Sequence, residues 1–245
     1  MSSAALYDLG ATELLAAYRS HQLSPVDVTR AVLDRAAAWE PELHATYLLR
    51  PEAALAQARA SEARWLRNAP QGLLDGVPIT IKENIATQGD PTPLGTAAVE
   101  LYPAPADAPP SARMREANAV LIAKTTMPDY GMLSSGLSSF HALTRNPWDL
   151  RKGPGGSSAG AGAACAAGYG PLHLGTDIGG SIRLPASWCG IFGLKPSLGR
   201  VPIDPPYTGR AAGPMTRTVA DAALAMQVLS QPDARDSMNL PPQHI

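Results

Sequence analysis

The sequence predicts an α/β fold. Three features carry that reading: a helical first quarter, β-branched runs after it that alternate with helical stretches, and glycine-rich turns between the two. The chain has 245 residues, 45% of them apolar, which is enough to bury a substantial core. Residues 1–245 read as one domain: a helical N-terminal region at 1–70, an α/β core at 71–231, and a polar, proline-rich tail at 232–245 that is expected to be mobile.

From Thr12 to Leu66 the pattern is that of three amphipathic helices. Ser24-Pro25-Val26-Asp27 supplies a cap, a proline at the first helical position and an acid in the first turn; PEAALAQARASEARWL continues the alanine-rich character. At Gly76 the character changes. VPITI alternates and is β-branched, so a strand is expected from Val77 to Ile81 with Lys82 at its C-terminal end. A helical segment around Ser111–Asn118 precedes a second strand at Val120–Lys124, and a long loop-rich tract follows from Met127 to Gly156. AGAGAACAAG reads as a helix whose small residues let it lie close to a sheet, PLHLG as a strand, and VADAALAMQVLS as a final helix capped by Thr218 with Asp221.

Twenty basic and twenty-one acidic side chains leave a net charge of −1, so nothing in the balance points to nucleic acid or an anionic membrane as a partner. The N-terminus lacks the basic region of a signal peptide, and no apolar run approaches bilayer length. The two cysteines, Cys165 and Cys189, lack metal-ligand spacing and read as small buried side chains; a reducing cytoplasm is the expected location.

The most unusual stretch is GPGGSSAGAGAACAAG, Gly153–Gly168, with two serines between glycine pairs and a helix. A phosphate cradle is one reading, but neither nucleotide-binding glycine spacing can be found in it and no lysine follows. Gly156-Ser157-Ser158-Ala159-Gly160 also matches G-x-S-x-G, which would make Ser158 the nucleophile of an α/β-hydrolase esterase. That elbow must follow a strand, whereas DLRKGPG is a turn sequence, and the histidine it needs could only be His173 or His244. A third reading looks further along, to Ser181 in TDIGGSIRLP, a second Gly-Gly-Ser loop. A serine hydroxyl needs a base and donors for a developing oxyanion; consecutive glycines leave backbone N–H groups free to converge, and Lys82 stands at a strand end. Taken singly, Lys82 reads more readily as a surface lysine, Ser181 as a turn former and Ser157 as a helix cap.

GGSSAG, GTDIGGSIRLPASWCGIFGLKPS and GVPITIKEN together resemble the amidase signature family of serine hydrolases, and the likeness runs on through TRNPWD and GLKPSLGRVP. The resemblance implies a mixed β-sheet core covered by helices, and hydrolysis of a carboxylic amide through an acyl-enzyme without metal or organic cofactor. It places the nucleophile at Ser181, a bridging serine with a cis peptide bond at Ser157, and the base at Lys82. It implies oxyanion donors at the N–H groups of Ile178, Gly179, Gly180 and Ser181, with Thr176 and Asp177 holding that loop and Arg183 anchoring it. Ser158 falls to the helix start, and Met132 and His141 border the acyl pocket. Lysine must be neutral to accept a proton, so burial has to depress its ordinary pKa of about 10.4 by roughly three units, at about 1.4 kcal/mol each. Glu83 would oppose that shift, but consecutive strand residues face opposite sides.

The resemblance covers only the N-terminal half of the family pattern, so the family fold is expected to be incomplete, with sheet edges or apolar faces exposed. A second polypeptide supplying the other half, or a homo-oligomer, would cover them. Within the family the competing reading is the glutaminase-type subunit of a tRNA-dependent amidotransferase; from another class, an inactive interaction fragment.

Overall fold

The computed structural model describes residues 3–243. A 3-10 turn at Ser3–Asp8 leads into α1 (Ala11–Arg19), α2 (Pro25–Leu43), β1 (Thr46–Leu49) and α3 (Pro51–Leu66). The core continues with β2 (Pro78–Lys82), α4 (Pro109–Glu116), β3 (Val120–Thr125), α5 (Ala159–Ala167) and β4 (Leu172–Asp177), then α6 (Arg183–Cys189), β5 (Phe192–Gly193), β6 (Ala211–Thr216) and α7 (Val219–Leu229). The six strands form one mixed sheet in the order β1-β3-β2-β4-β6-β5. β2 runs parallel to both β3 and β4, while β1 and β6 are antiparallel to their neighbours.

Alternation along β2 decides the layers. Ile79 and Ile81 point into a cluster with Leu172, Leu174, Met114, Ala225 and Met226, so α4 and α7 cover that face. Burying each isoleucine contributes about 1.5 to 3 kcal/mol. On β3, Val120 and Ile122 pack with Val32, Leu33, Ala54 and Ala58, placing α2 and α3 over the opposite face. The α5 helix lies there too, packed on α2 through Ala163, Ala164 and Ala167. Its small residues are what allow the approach: a Cβ on Gly160 would collide with Ala45 O and lie 2.5 Å from Thr126 N.

The expected helix caps form as written, Ser24 Oγ accepting from Val26 N–H at 2.9 Å and Thr218 Oγ1 from Asp221 N–H at 3.1 Å. The 1–70 region is not wholly helical. β1 interrupts it, because Thr46 and Leu49 pair with Thr125 and Ala123 on β3, a partnership that no local pattern in four half-buried residues announces. β6 contains Gly213 and Pro214, which argue against a strand, yet its partners lie on both sides; the Pro214 carbonyl accepts from Leu194 N–H at 3.0 Å. The segment from 232, expected to be mobile, is tied to the core. Asp236 Oδ2 accepts from Ile203 N–H at 2.9 Å, Leu240 N–H reaches Gly199 O at 2.9 Å, and Arg235 Nη1 donates to Asp107 O at 2.7 Å. Cys165 and Cys189 are buried free thiols, both pushed up to about 12 by burial.

Candidate active site

Lys82 closes β2, and the parallel neighbours of that strand bring two glycine-rich loops to its end. Its side chain is fully buried, and Nζ donates to Ser157 Oγ at 2.8 Å, Thr176 Oγ1 at 3.0 Å and Ser158 Oγ at 3.1 Å. Burial lowers the Lys82 pKa to about 7; the charges of Glu83 and Asp177 oppose that shift and the charge of Arg210 assists it. A depressed pKa is what lets an amine accept a proton near neutral pH.

The Gly156–Ser157 peptide is cis, the geometry that the resemblance implied. Gly156 lies so close to the 133–135 backbone that a Cβ would sit 2.6 Å from Leu133 O and from Ser135 N. Ser158 begins α5 but its hydroxyl does not cap the helix. Its hydroxyl accepts from Lys82 Nζ and from Thr176 N–H (3.3 Å) and donates to Thr176 O at 3.2 Å, which ties the helix start to β4.

Ser181 sits on the loop between β4 and α6 and is partly exposed. Its carbonyl accepts from Ser158 N–H at 3.1 Å, which joins this loop to the serine pair; its hydroxyl enters none of the hydrogen bonds among the described residues. The loop is built on Asp177, whose buried carboxylate accepts from Gly180 N–H (2.8 Å), Ile182 N–H (3.0 Å) and Arg183 N–H (3.3 Å). Arg183 adds Nε and Nη2 at 3.0 and 2.8 Å. Burial alone would raise the Asp177 pKa, but Arg183 and the backbone donors outweigh it and hold it at about 2.

Two expected roles change in consequence. Gly180 N–H is already spent on Asp177, which leaves Ile178, Gly179 and Ser181 of the four expected oxyanion donors. Thr176 does not hold the loop: its hydroxyl accepts from Lys82 and, at 3.1 Å, from Asn84 Nδ2. Asp177 and Arg183 do brace it.

Glu83 points away from Lys82 as alternation requires, accepting from Met127 N–H at 3.0 Å and pairing with His141 Nε2 at 2.9 Å, yet its charge still raises the lysine pKa. His141 is thereby enclosed, edge-on against Phe140. Met132 is 81% exposed and follows Gly131, where a Cβ would lie 3.1 Å from Ser157 Oγ. Sequence reasoning missed Asn84 and the Lys82 contact of Ser158, although both residues lie inside the quoted motifs IKEN and GGSSAG.

Among the described residues the α/β-hydrolase arrangement is absent. His173 is buried, bonded to Thr80 Oγ1 at 2.8 Å and to Gly170 O at 3.0 Å, and lowered by burial to about 3, while Ser158 meets Lys82 instead. His244 lies outside the described residues. Among the described residues no helix is long and apolar enough to cross a membrane, and no group of three or more His, Cys, Asp or Glu is placed to hold a metal ion.

Fold and site together define a mixed-sheet α/β protein with a buried lysine–hydroxyl centre. The chain belongs to the Amidase family, whose model matches residues 27–244. It is 43% identical over 225 residues to one of the subunits of glutamyl-tRNA(Gln) amidotransferase from Gloeobacter violaceus, a match covering 90% of this chain and 46% of that one. Among solved structures it superposes on a bacterial aryl acylamidase of the amidase signature enzymes with a TM-score of 0.88 and 36% identity, covering 96% of this chain and 50% of that one. Peptide amidase from Stenotrophomonas maltophilia gives a TM-score of 0.89 at 32% identity, over 96% of this chain and 51% of that chain. The chain thus spans about half the length of the relatives that it matches.

Proposed function

We propose that this chain carries the Ser-cisSer-Lys centre of an amidase, with Lys82 as base, Ser157 as proton relay and Ser181 as nucleophile. The observation that carries the reading is a fully buried Lys82 amine, lowered to about 7 and surrounded by three hydroxyls. A neutral amine has two protons to donate and one lone pair. Ser158 uses its proton on Thr176 O and can only accept from Lys82, so Ser157 is free to give its proton to the lone pair.

In the first step Ser181 Oγ attacks the amide carbon as its proton passes to Ser157 and that of Ser157 to Lys82 Nζ. The N–H groups of Ile178, Gly179 and Ser181 receive the charge that gathers on the carbonyl oxygen. The C–N bond then breaks as the proton returns along the same path to the leaving amine, and water cleaves the acyl-serine by the reverse relay. A fluorophosphonate probe is expected to label Ser181, with label absent from Ser181→Ala. Labelling that persists in Ser181→Ala refutes the assignment.

A glutaminase-type role inside a tRNA-dependent amidotransferase is favoured by the amidotransferase components among the relatives. Glutamine hydrolysis that needs added partner proteins would select it over a free-standing amidase. In either case a second polypeptide carrying the rest of an amidase fold would cover apolar side chains that this chain leaves exposed. Met132, Leu137, Trp148, Ile178 and Trp188 are all more than half exposed, and the matched structures extend to about twice this length. Sedimentation of the purified complex distinguishes such a partner from a homo-oligomer or a monomer. The buried free thiols suit a reducing cytoplasm.

A further inference from the structure

Lys124 is the second amine that the fold buries, and it takes no part in the relay described above. Register on β3 sets it beside Ile81 of β2, so its side chain leaves the sheet on the face opposite to Lys82, the face that Glu83 also takes. Nζ donates to Ile85 O and enters no other hydrogen bond and no ion pair among the described residues. Burial lowers its pKa to about 7; the charges of Glu83 and Asp107 oppose that shift and the charge of Arg50 assists it. Those groups are engaged elsewhere, Glu83 with Met127 N–H and His141, Asp107 with Arg115, and Arg50 with Asp90.

Enclosing an amine with a single acceptor is costly, and an apolar side chain of equal length would fill the same space without that cost. What the amine adds is its bond to Ile85 O, and that carbonyl belongs to the turn that leaves β2 directly after Lys82. The other polar backbone group of Ile85, its N–H, bonds to Lys82 O at 3.0 Å, and Glu83 N–H bonds to Thr125 O at 3.0 Å. Asn84 stands between these anchors. Its Nδ2 reaches Thr176 Oγ1 at 3.1 Å, the oxygen that also accepts from Lys82 Nζ at 3.0 Å. A continuous path therefore runs from Lys124 through Ile85 and Asn84 to one of the hydroxyls that orient Lys82.

We propose that Lys124 is a positioning residue for the base: by pinning the 83–85 turn it holds Asn84 on Thr176 and so keeps Lys82 Nζ aligned on Ser157 Oγ. This inference rests on the amidase reading, in which Lys82 is the base. A misplacement of about 1 Å at a reacting group costs on the order of 100-fold in rate, so a loosened turn is felt in the chemical step.

The test is the rate at which a fluorophosphonate labels Ser181 of the full chain, resolved into a limiting rate and a half-saturating probe concentration. Lys124→Met keeps the length of the side chain and removes the donor. The limiting rate is expected to fall at least ~10-fold while the half-saturating concentration changes by less than ~2-fold, because the loop that carries Ser181 is braced by Asp177 and keeps its contacts. Asn84→Leu cuts the same path at a half-buried position and is expected to give the same loss, with no further loss when Lys124→Met is added to it. An unchanged limiting rate in Asn84→Leu overturns the proposal whether or not Lys124→Met folds. So does an unchanged rate in a Lys124→Met protein with intact circular dichroism, and so do losses that multiply in the double variant. In each of these outcomes Ser181 is still labelled in the unsubstituted chain and the amidase reading stands; an unsubstituted chain that is not labelled at Ser181 removes that reading and this inference together.

Discussion

Replacing Lys82 by methionine keeps the reach of the side chain and deletes the amine, and the expected result is a protein that is inactive but more stable at neutral pH. The folded-state pKa of about 7 lies below the ordinary lysine value. Between about pH 7 and pH 10.4 the unfolded chain therefore binds more protons at this position than the folded one, and wild-type stability rises with pH across that window. The difference costs the folded state about 4 kcal/mol at pH 7 and about 2 kcal/mol at pH 9. Ser157, Ser158 and Thr176 each lose a neighbour in the variant, which offsets about 1 kcal/mol apiece. The net gain at pH 7 is then about 1 to 2 kcal/mol, and it shrinks or reverses at pH 9. Urea unfolding followed by circular dichroism at both pH values measures it. The second buried lysine, Lys124, is also lowered to about 7 by burial, but it is present in both proteins and cancels from the comparison. If the stability gap between variant and wild type is the same at pH 7 and pH 9, Lys82 does not titrate near neutrality and the base assignment fails.

Three further outcomes follow from the same geometry. Amidase kcat/KM is expected to rise with pH through about 7 as Lys82 loses its proton, and Glu83→Gln, which removes a charge that raises that pKa, to move the midpoint to lower pH; a midpoint that stays or rises in the pH–rate profile contradicts this. Ser158→Ala orphans the N–H and C=O of Thr176, so Tm is expected to fall by about 6 °C for a loss near 2 kcal/mol, while fluorophosphonate still labels Ser181; loss of the label would return Ser158 to candidacy as nucleophile. Asp177→Asn keeps the volume but removes the charge that gathers Gly180, Ile182 and Arg183, and steady-state kinetics are expected to show kcat falling by about 100-fold with a smaller change in KM; an unchanged kcat would mean that the loop does not depend on this carboxylate.

The sequence alone determined those features whose causes are local. Ser24 and Thr218 cap their helices because a hydroxyl beside a helix start reaches its own backbone, and VPITIK is a strand because alternation buries Ile79 and Ile81 on one face. The family motifs also singled out Lys82, Ser157 and Ser181 as candidates, and the resemblance pointed to Asp177 and Arg183 as the brace of the loop that the structure shows them to form. The tertiary structure decided the rest. β1 and β6 are strands through pairing with distant partners, not through their composition. His141 turned out to serve Glu83, a residue 58 positions away, and Gly180 N–H was taken from the oxyanion set by a carboxylate whose orientation the motif does not state. Thr176 and Ser158 became neighbours of Lys82 across separations of 94 and 76 residues. Strand pairing alone brings such hydroxyls to one amine, and only their joint enclosure of Lys82 removes the water that would otherwise keep it charged.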